Sequence, residues 1–246
     1  MKWILKVVFI FLFGSIFAQE EVGSVCTRKF PLRENIRKVR VDLEIEADGK
    51  VGLEMKCEYA GVKAERDSLL FWMRKPEDEK RKWISTRVAC GKLELKDFRF
   101  FEPEGNDVPE IGYEIKGTLI GFCGKSGDRL FFSPFSFSGI KDIPLSSGDG
   151  VPPVEISCSF TQIDTISVSI PEGYVVETGI APVFLYSPYG EYSTEVSRFK
   201  DKIYLKRNFL LKAGIYPKEA YEGFQLFIQQ VQLQDRFRMV LKPRNK

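Results

Sequence analysis

The chain has 246 residues and no histidine. Serine-histidine-aspartate and cysteine-histidine machinery needs an imidazole that changes charge near neutrality, and most catalytic zinc sites use at least one histidine. Those classes are excluded. Cysteine is sparse and scattered: Cys26, Cys57, Cys90, Cys123 and Cys158 form no Cys-x-x-Cys pair, so no zinc centre is expected. A Gly-rich phosphate loop is also missing, because Gly148-Asp149-Gly150 has neither a Lys-Ser/Thr follow-on nor a strong helix after it. No cofactor is expected. Internal repeats and low-complexity segments are absent.

A charge excess is lacking too. Lys plus Arg number 37 against 34 Asp plus Glu, and two of those lysines, Lys2 and Lys6, lie in the first few residues. Binding to nucleic acid or anionic lipid is driven by clustered cationic charge, so neither is expected as a partner. Long apolar runs are missing as well. The run from Val7 to Phe13 is well short of the ~20 residues that span a bilayer. With Lys2 and Lys6 before it and the small Ala18 after it, residues 1–19 read as a signal peptide, cleaved after Ala18 or Gln19. The expected location is the periplasm, the cell surface or the medium, with no stable membrane insertion after cleavage. Val-Gly-Ser-Val before Cys26 lacks the small residue that directly precedes a lipoprotein cysteine, so a lipid anchor is not expected.

An exported chain allows disulfides, but the cysteine count is odd. Cys90 with Cys123 is the pair to test first. Cys57 and Cys158 fall on apolar faces of expected strands and read as small buried hydrophobes.

What the sequence does hold is strand pattern. Hydrophobic residues make up 43% and aromatics 13%, enough to bury a core. Val39, Val41, Leu43 and Ile45 alternate with Arg40, Asp42, Glu44 and Glu46, and after Ala47-Asp48-Gly49 the period resumes at Val51, Leu53, Met55, Cys57 and Tyr59. A two-residue turn would pair Glu46 with Val51 on one face. A three-residue loop instead pairs Ile45 with Val51, Leu43 with Leu53 and Val41 with Met55, so the longer loop is predicted, with Gly49 at positive φ. The charged stretch Gly61 to Val88 breaks the period and reads as two short helices interrupted at Pro76. Strands return at Lys92 to Phe101, Tyr113 to Phe122, Arg129 to Phe132 and Val154 to Phe160. A strand, a Pro171-Glu172-Gly173 turn and another strand start follow. Tyr192 to Val196 and Lys202 to Arg207 form a hairpin around Lys200-Asp201-Lys202.

Near the end, Tyr221, Phe224, Phe227, Ile228 and Val231 share one helical face after Pro217. Glu219 and Glu222 sit at the positive end of its dipole. Phe237, Met239 and Leu241 then alternate with polar residues as a final strand beside the helix that covers it, stopped by Pro243. The predicted fold is mainly β: antiparallel, β-sandwich-like subdomains with a few short helices and one amphipathic helix near the C-terminus. Ser, Gly and Pro between Ser133 and Pro153 suggest a boundary, giving an N-terminal subdomain at 27–140 and a C-terminal one at 152–246.

Histidine-free chemistry leaves few candidates. Ser138 to Lys141 and Ser197 to Lys200 each fit Ser-x-x-Lys, but neither opens a strong helix and the companion motifs are absent. Glu54, Glu58, Glu114 and Glu155 could pair for glycoside hydrolysis, yet their spacing singles out no two, and they read as the solvated face of half-buried strands. No catalytic residue is assigned. In "FLYSPYGEYS", Tyr186, Tyr189 and Tyr192 flank a Pro-Gly turn. They are candidate ligand-binding residues for a sugar ring or a protein, set against the plainer reading that they pack on their own core. Trp72 and Trp83 raise the same pair of readings.

Gly127-Asp128-Arg129-Leu130-Phe131-Phe132 with Pro134, then Val154-Glu155-Ile156, Ile170-Pro171-Glu172-Gly173-Tyr174, Gly214-Ile215-Tyr216-Pro217 with Tyr221 and Phe224, and the closing Met239-Val240-Leu241-Lys242 come in a recognisable order. Together they resemble the C-terminal β-rich region of bacterial exported transglutaminase-like proteins, itself a domain of unknown function. The hairpin at Asp48-Gly49 is similar to the segment after the transglutaminase core, so the likeness covers nearly the whole mature chain. That core supplies Cys, His and Asp upstream, whereas here the signal peptide runs almost directly into the accessory region, so no catalytic residue carries over. The resemblance implies a non-enzymatic accessory β-protein at the envelope of a Bacteroidetes-like cell, beside a separately encoded protein partner. A carbohydrate-binding module is the rival expectation.

Overall fold

The computed structural model describes residues 35–61, 63–88, 90–102, 110–138, 154–156 and 158–244. The signal-peptide reading, Cys26, Lys141 and the Gly148-Asp149-Gly150 loop lie outside them.

Strict two-residue alternation forms β1 (Ile36–Ile45) and β2 (Val51–Ala60). They pair in the register expected, Ile45 with Val51, Leu43 with Leu53 and Val41 with Met55. Glu46 N–H donates to the Lys50 carbonyl (2.9 Å), Gly49 N–H donates to the Glu46 carbonyl (3.0 Å), and Gly49 adopts φ +92°. The loop is therefore three residues long. A loop one residue shorter or longer would have set the apolar face of one strand against the polar face of the other.

Helices α1 (Lys63–Met73) and α2 (Glu77–Ser85) follow, separated at Pro76, with Glu77, Asp78 and Glu79 in the first turn of α2. Beyond them come β3 (Lys92–Phe101), β4 (Glu110–Ile120), β5 (Gly124–Ser126), β6 (Arg129–Phe132) and a 3-10 turn at Pro134–Phe137. Strand β4 stops earlier than the pattern suggests because Gly121 takes φ +78°. The expected strand from Val154 to Phe160 divides into β7 (Val154–Ile156) and the start of β8 (Phe160–Ser169), with a bend at Cys158.

The remaining elements are β9 (Tyr174–Thr178), β10 (Val183–Ser187), β11 (Gly190–Phe199), β12 (Lys202–Leu211), β13 (Gly214–Tyr216), α3 (Tyr221–Asp235) and β14 (Met239–Pro243). The hairpin between β11 and β12 turns on Lys200 and Asp201 alone, since Phe199 pairs with Lys202, and Lys200 takes φ 53°.

Eight strands form one sheet in the order β10-β11-β12-β8-β1-β2-β4-β3, in which every pair is antiparallel except β1 with β8. Two smaller sheets accompany it, β13-β7 and β5-β6-β14-β9. The mainly β class with few helices stands as the sequence indicates. The large sheet draws strands from both sides of the Ser133 to Pro153 passage.

One face of the large sheet is the core. Val41, Leu53, Ile115, Ile166 and Leu205 pack there with Leu69, Trp83 and Ile84 from the helices and Leu130, Phe132, Met239 and Leu241 from the four-stranded sheet. Full burial of each such side chain is worth about 1.5–3 kcal/mol. A second cluster joins Tyr192, Phe209 and Leu211 to Phe224, Phe227, Ile228 and Val231 of α3. This corrects one expectation: α3 covers β11 and β12 of the large sheet, whereas β14 pairs with β6 and β9 in a different sheet. Among the described residues no helix is long and apolar enough to cross a membrane.

Of the cysteine expectations, Cys57 as a buried hydrophobe holds, whereas those for Cys158 and for the Cys90 and Cys123 pair are corrected. Cys57, Cys90 and Cys123 are free, whereas Cys158 is disulfide-bonded. Cys90 and Cys123 each pack as apolar groups against the main core, so the pair singled out above does not form.

Candidate binding surface

Between the two apolar clusters, charged and polar side chains occupy positions whose register points inward. Strand β8 supplies Gln162 and Asp164 and β12 supplies Arg207, directly opposite Asp164 in the ladder; Arg37 and Thr194 are buried on β1 and β11. Arg207 is wholly buried. Its Nε and Nη2 donate to the two oxygens of Asp235 (2.6 and 2.8 Å) and its Nη1 to Asp164 Oδ2 (2.8 Å). Tyr192 donates its hydroxyl to Asp235 Oδ1 (3.0 Å). Gln162 Nε2 donates to the Ser138 carbonyl (2.8 Å), and Arg37 Nη2 to that of Phe137 (3.3 Å).

Burial opposes the Arg207 charge, but the two facing aspartates outweigh it and hold the guanidinium above its ordinary range. Burial, and then the Asp235 charge, push the Tyr192 phenol up, so it stays neutral. Asp235 ends α3, where a carboxylate meets the negative end of the helix dipole. The bidentate guanidinium offsets that and fastens the helix to the sheet. The cluster is a clamp: the Arg207 and Tyr192 donors are turned on its own carboxylates, and those of Gln162 and Arg37 on backbone carbonyls.

The three candidate tyrosines do not form one platform. Tyr192 is 0% exposed and belongs to the clamp. Tyr189 is buried, packs edge-on against Tyr216 and Phe224, and donates to the Ala220 carbonyl at the start of α3 (2.8 Å). Its hydroxyl lies where a Cβ on Gly223 would come within 2.9 Å, so a larger residue there would push it off the Ala220 carbonyl. Tyr186 alone is open, 69% exposed, with Lys212 Nζ 4.9 Å from its ring centre. Two residues back on the same face, Phe184 is equally exposed; the sequence reading missed it. Trp72 and Trp83 stack on one another (5.4 Å) within the main core.

The other face of the eight-stranded sheet carries alternate positions of every strand. Charges are paired across it: Arg99 with Glu114 (2.6 Å), Lys116 with Glu54 (3.0 Å), Lys56 with Glu58 (2.7 Å), Lys206 with Glu195 (3.7 Å) and Lys212 with Glu191 (3.0 Å). Ser167 donates to Asp42 (2.7 Å). The hydrogen bond from Arg99 holds the Glu114 carboxyl below its usual range. Tyr204 and Phe199 stand exposed toward one end of this face, Phe184 and Tyr186 toward one edge. The surface is broad, mixed in charge and edged by aromatics.

Ser197 lies on β11 and Lys200 in the turn after it, a strand and a turn where a Ser-x-x-Lys nucleophile would need a helix. Glu54 and Glu114 are each held by a neighbouring cation, as a solvated sheet face does. Among the described residues no group of three or more Cys, Asp or Glu side chains gathers as a metal site.

Comparison with known proteins gives a family profile described as a domain of unknown function with a solved structure (DUF3858), which matches residues 128–241. Among curated proteins nothing matches. One similar solved structure is a crystal structure of a candidate protease from Parabacteroides distasonis, 16% identical, with a TM-score of 0.36; the match covers 43% of this chain and 21% of that one. The chain thus spans about a fifth of that structure's length.

Proposed function

We propose that this chain is an exported, non-catalytic binding or scaffolding protein of the bacterial envelope, which meets its partner on the open face of the large sheet. The observation that carries this reading is the Arg207 clamp. The most deeply buried charges are consumed in fixing α3 to the sheet, while the solvent-facing side of the same strands is a continuous mixed-charge surface rimmed with aromatics. The absence of histidine supports a role without a proton shuttle at neutral pH. The profile match over residues 128–241 and the order of motifs support an accessory role like that of the β-rich region of exported transglutaminase-like proteins, in the periplasm or at the surface. Affinity capture from envelope extracts checks it. A partner is expected that is lost when Lys116→Glu and Lys206→Glu reverse charges on the open face, but kept when Leu233 on the outside of α3 is replaced by Ala. Failure to recover any protein or glycan above background opposes the proposal.

A glycan is the second reading, favoured by exposed Phe184 and Tyr186 beside Lys212. Aromatic faces stack on sugar rings through apolar area with polar edges. Affinity electrophoresis on a glycan panel separates the two: retardation abolished by Tyr186→Ala supports it, and uniform mobility removes it.

A further inference from the structure

Strand β10 ends the large sheet, and among the described residues its outer edge pairs with nothing. The direction of its backbone groups follows from the hydrogen bonds further in. Lys212 N–H donates to the Tyr189 carbonyl (2.8 Å), so in the ladder of Gly190 with Leu211 the odd-numbered residues of β11 bond toward β12. Gly190, Tyr192 and Thr194 therefore bond toward β10, where they face Ser187, Leu185 and Val183. This leaves the N–H and C=O groups of Phe184 and Tyr186 directed away from the sheet. Their side chains lie exposed on the open face, and Leu185 is turned inward against the α3 cluster.

We propose that two copies of this chain join edge to edge through β10, antiparallel about a two-fold axis at Leu185, with Phe184 of each copy opposite Tyr186 of the other. The edge is its own complement. Each Phe184 and Tyr186 pair exchanges two main-chain hydrogen bonds, and each sets one aromatic ring against another, a favourable cross-strand combination. Leu185 meets its own copy on the inner side. Pro182 and Pro188 stand three residues on either side of Leu185, so in this register each proline faces the other copy's opposite proline, and the ladder stops where neither has an N–H to give. Of the usual guards of an exposed edge, β10 has only its shortness and the two flanking prolines, which bound the ladder; none of its residues is charged. The nearest, Lys212, is held by Glu191 (3.0 Å). The arrangement is isologous and closed, and makes one sheet of the two large sheets. It goes beyond the binding reading, and its failure would leave the open face as described.

Light scattering and sedimentation on the purified exported chain test it. The mass should be twice that of one chain. Tyr186→Pro removes an outward N–H that makes no bond to β11, so it should halve the mass with an unchanged circular dichroism spectrum. Two further variants fix the register even if the proline disturbs folding. Phe184→Glu with Tyr186→Lys places opposite charges face to face and should give a dimer that salt dissociates. Phe184→Lys with Tyr186→Lys should be monomeric. A wild-type chain that stays monomeric at the highest soluble concentration overturns the proposal. So does a dimer indifferent to these changes, or a monomeric chain whose β10 edge takes up a glycan or an unrelated peptide.

Discussion

Arg207 shows how one residue can be costly and necessary together. Taking a guanidinium and two carboxylates out of water costs several kcal/mol per ion, recovered only because each donor reaches an oxygen at 2.6 to 2.8 Å. Removing it strands Asp164 and Asp235, so Arg207→Met should lose about 3–5 kcal/mol of stability, seen as a fall in the urea midpoint. Arg207→Lys should recover only part of that, since an ammonium cannot bridge both aspartates as a planar fork does. The thiols give a pH dependence. Burial pushes Cys90 up to about 12 and Cys123 up to about 11, whereas an unfolded thiol titrates near ~8.5. The folded state holds these protons more tightly. Their contribution is therefore complete below the unfolded range and is lost as pH rises from there toward 11 and 12. Alkaline urea titrations should show stability falling above about pH 9, and Cys90→Ala should flatten the fall.

At the scale of elements, the turns are legible and the docking is not. Gly49 at φ +92° has the Cys123 carbonyl 3.3 Å from where a Cβ would stand, so Gly49→Ala should cost about 1 kcal/mol or more. Lys200 pays for a left-handed conformation, and Lys200→Asn should raise the melting temperature slightly. Both turns, the β1–β2 register, the two short helices and the apolar stripe of α3 follow from local spacing. What α3 covers does not, because a stripe says that something lies beneath it without saying which sheet. Phe227→Ala should cost about 3–5 kcal/mol, while Leu233→Ala, on the exposed side, should stay within about 0.5 kcal/mol. A sign of the clamp was present in the sequence. Arg207 falls in the inward register between Leu205 and Phe209, and Asp164 in that of Ile166 and Val168, yet alternation alone cannot tell a paired inward charge from a break in the strand. For Tyr189 and Tyr192 the plainer of the two sequence readings holds: both pack on their own core, under a helix that starts about thirty residues further on, which local spacing cannot show.

Over the whole molecule, the parallel pairing of β1 with β8 ties the first half of the chain to the second along nine residue pairs. Trp72 and Trp83 report on the first half, whereas far-UV circular dichroism reports on all strands. A sheet shared in this way should unfold in one step, with the two signals superimposing on denaturant titration. Separated transitions would mean that the halves stand alone. Function is read at this scale as well: charges locked inside, a broad paired-charge face outside, and an edge complementary to itself. Photo-crosslinking in the intact envelope from a benzophenone residue at position 206, on the open face, tests that division of labour most directly, with position 233 on the outer side of α3 as its reference. A discrete adduct from 206 and none from 233 is the expected result. Adducts from 233 alone, or from neither, would contradict it.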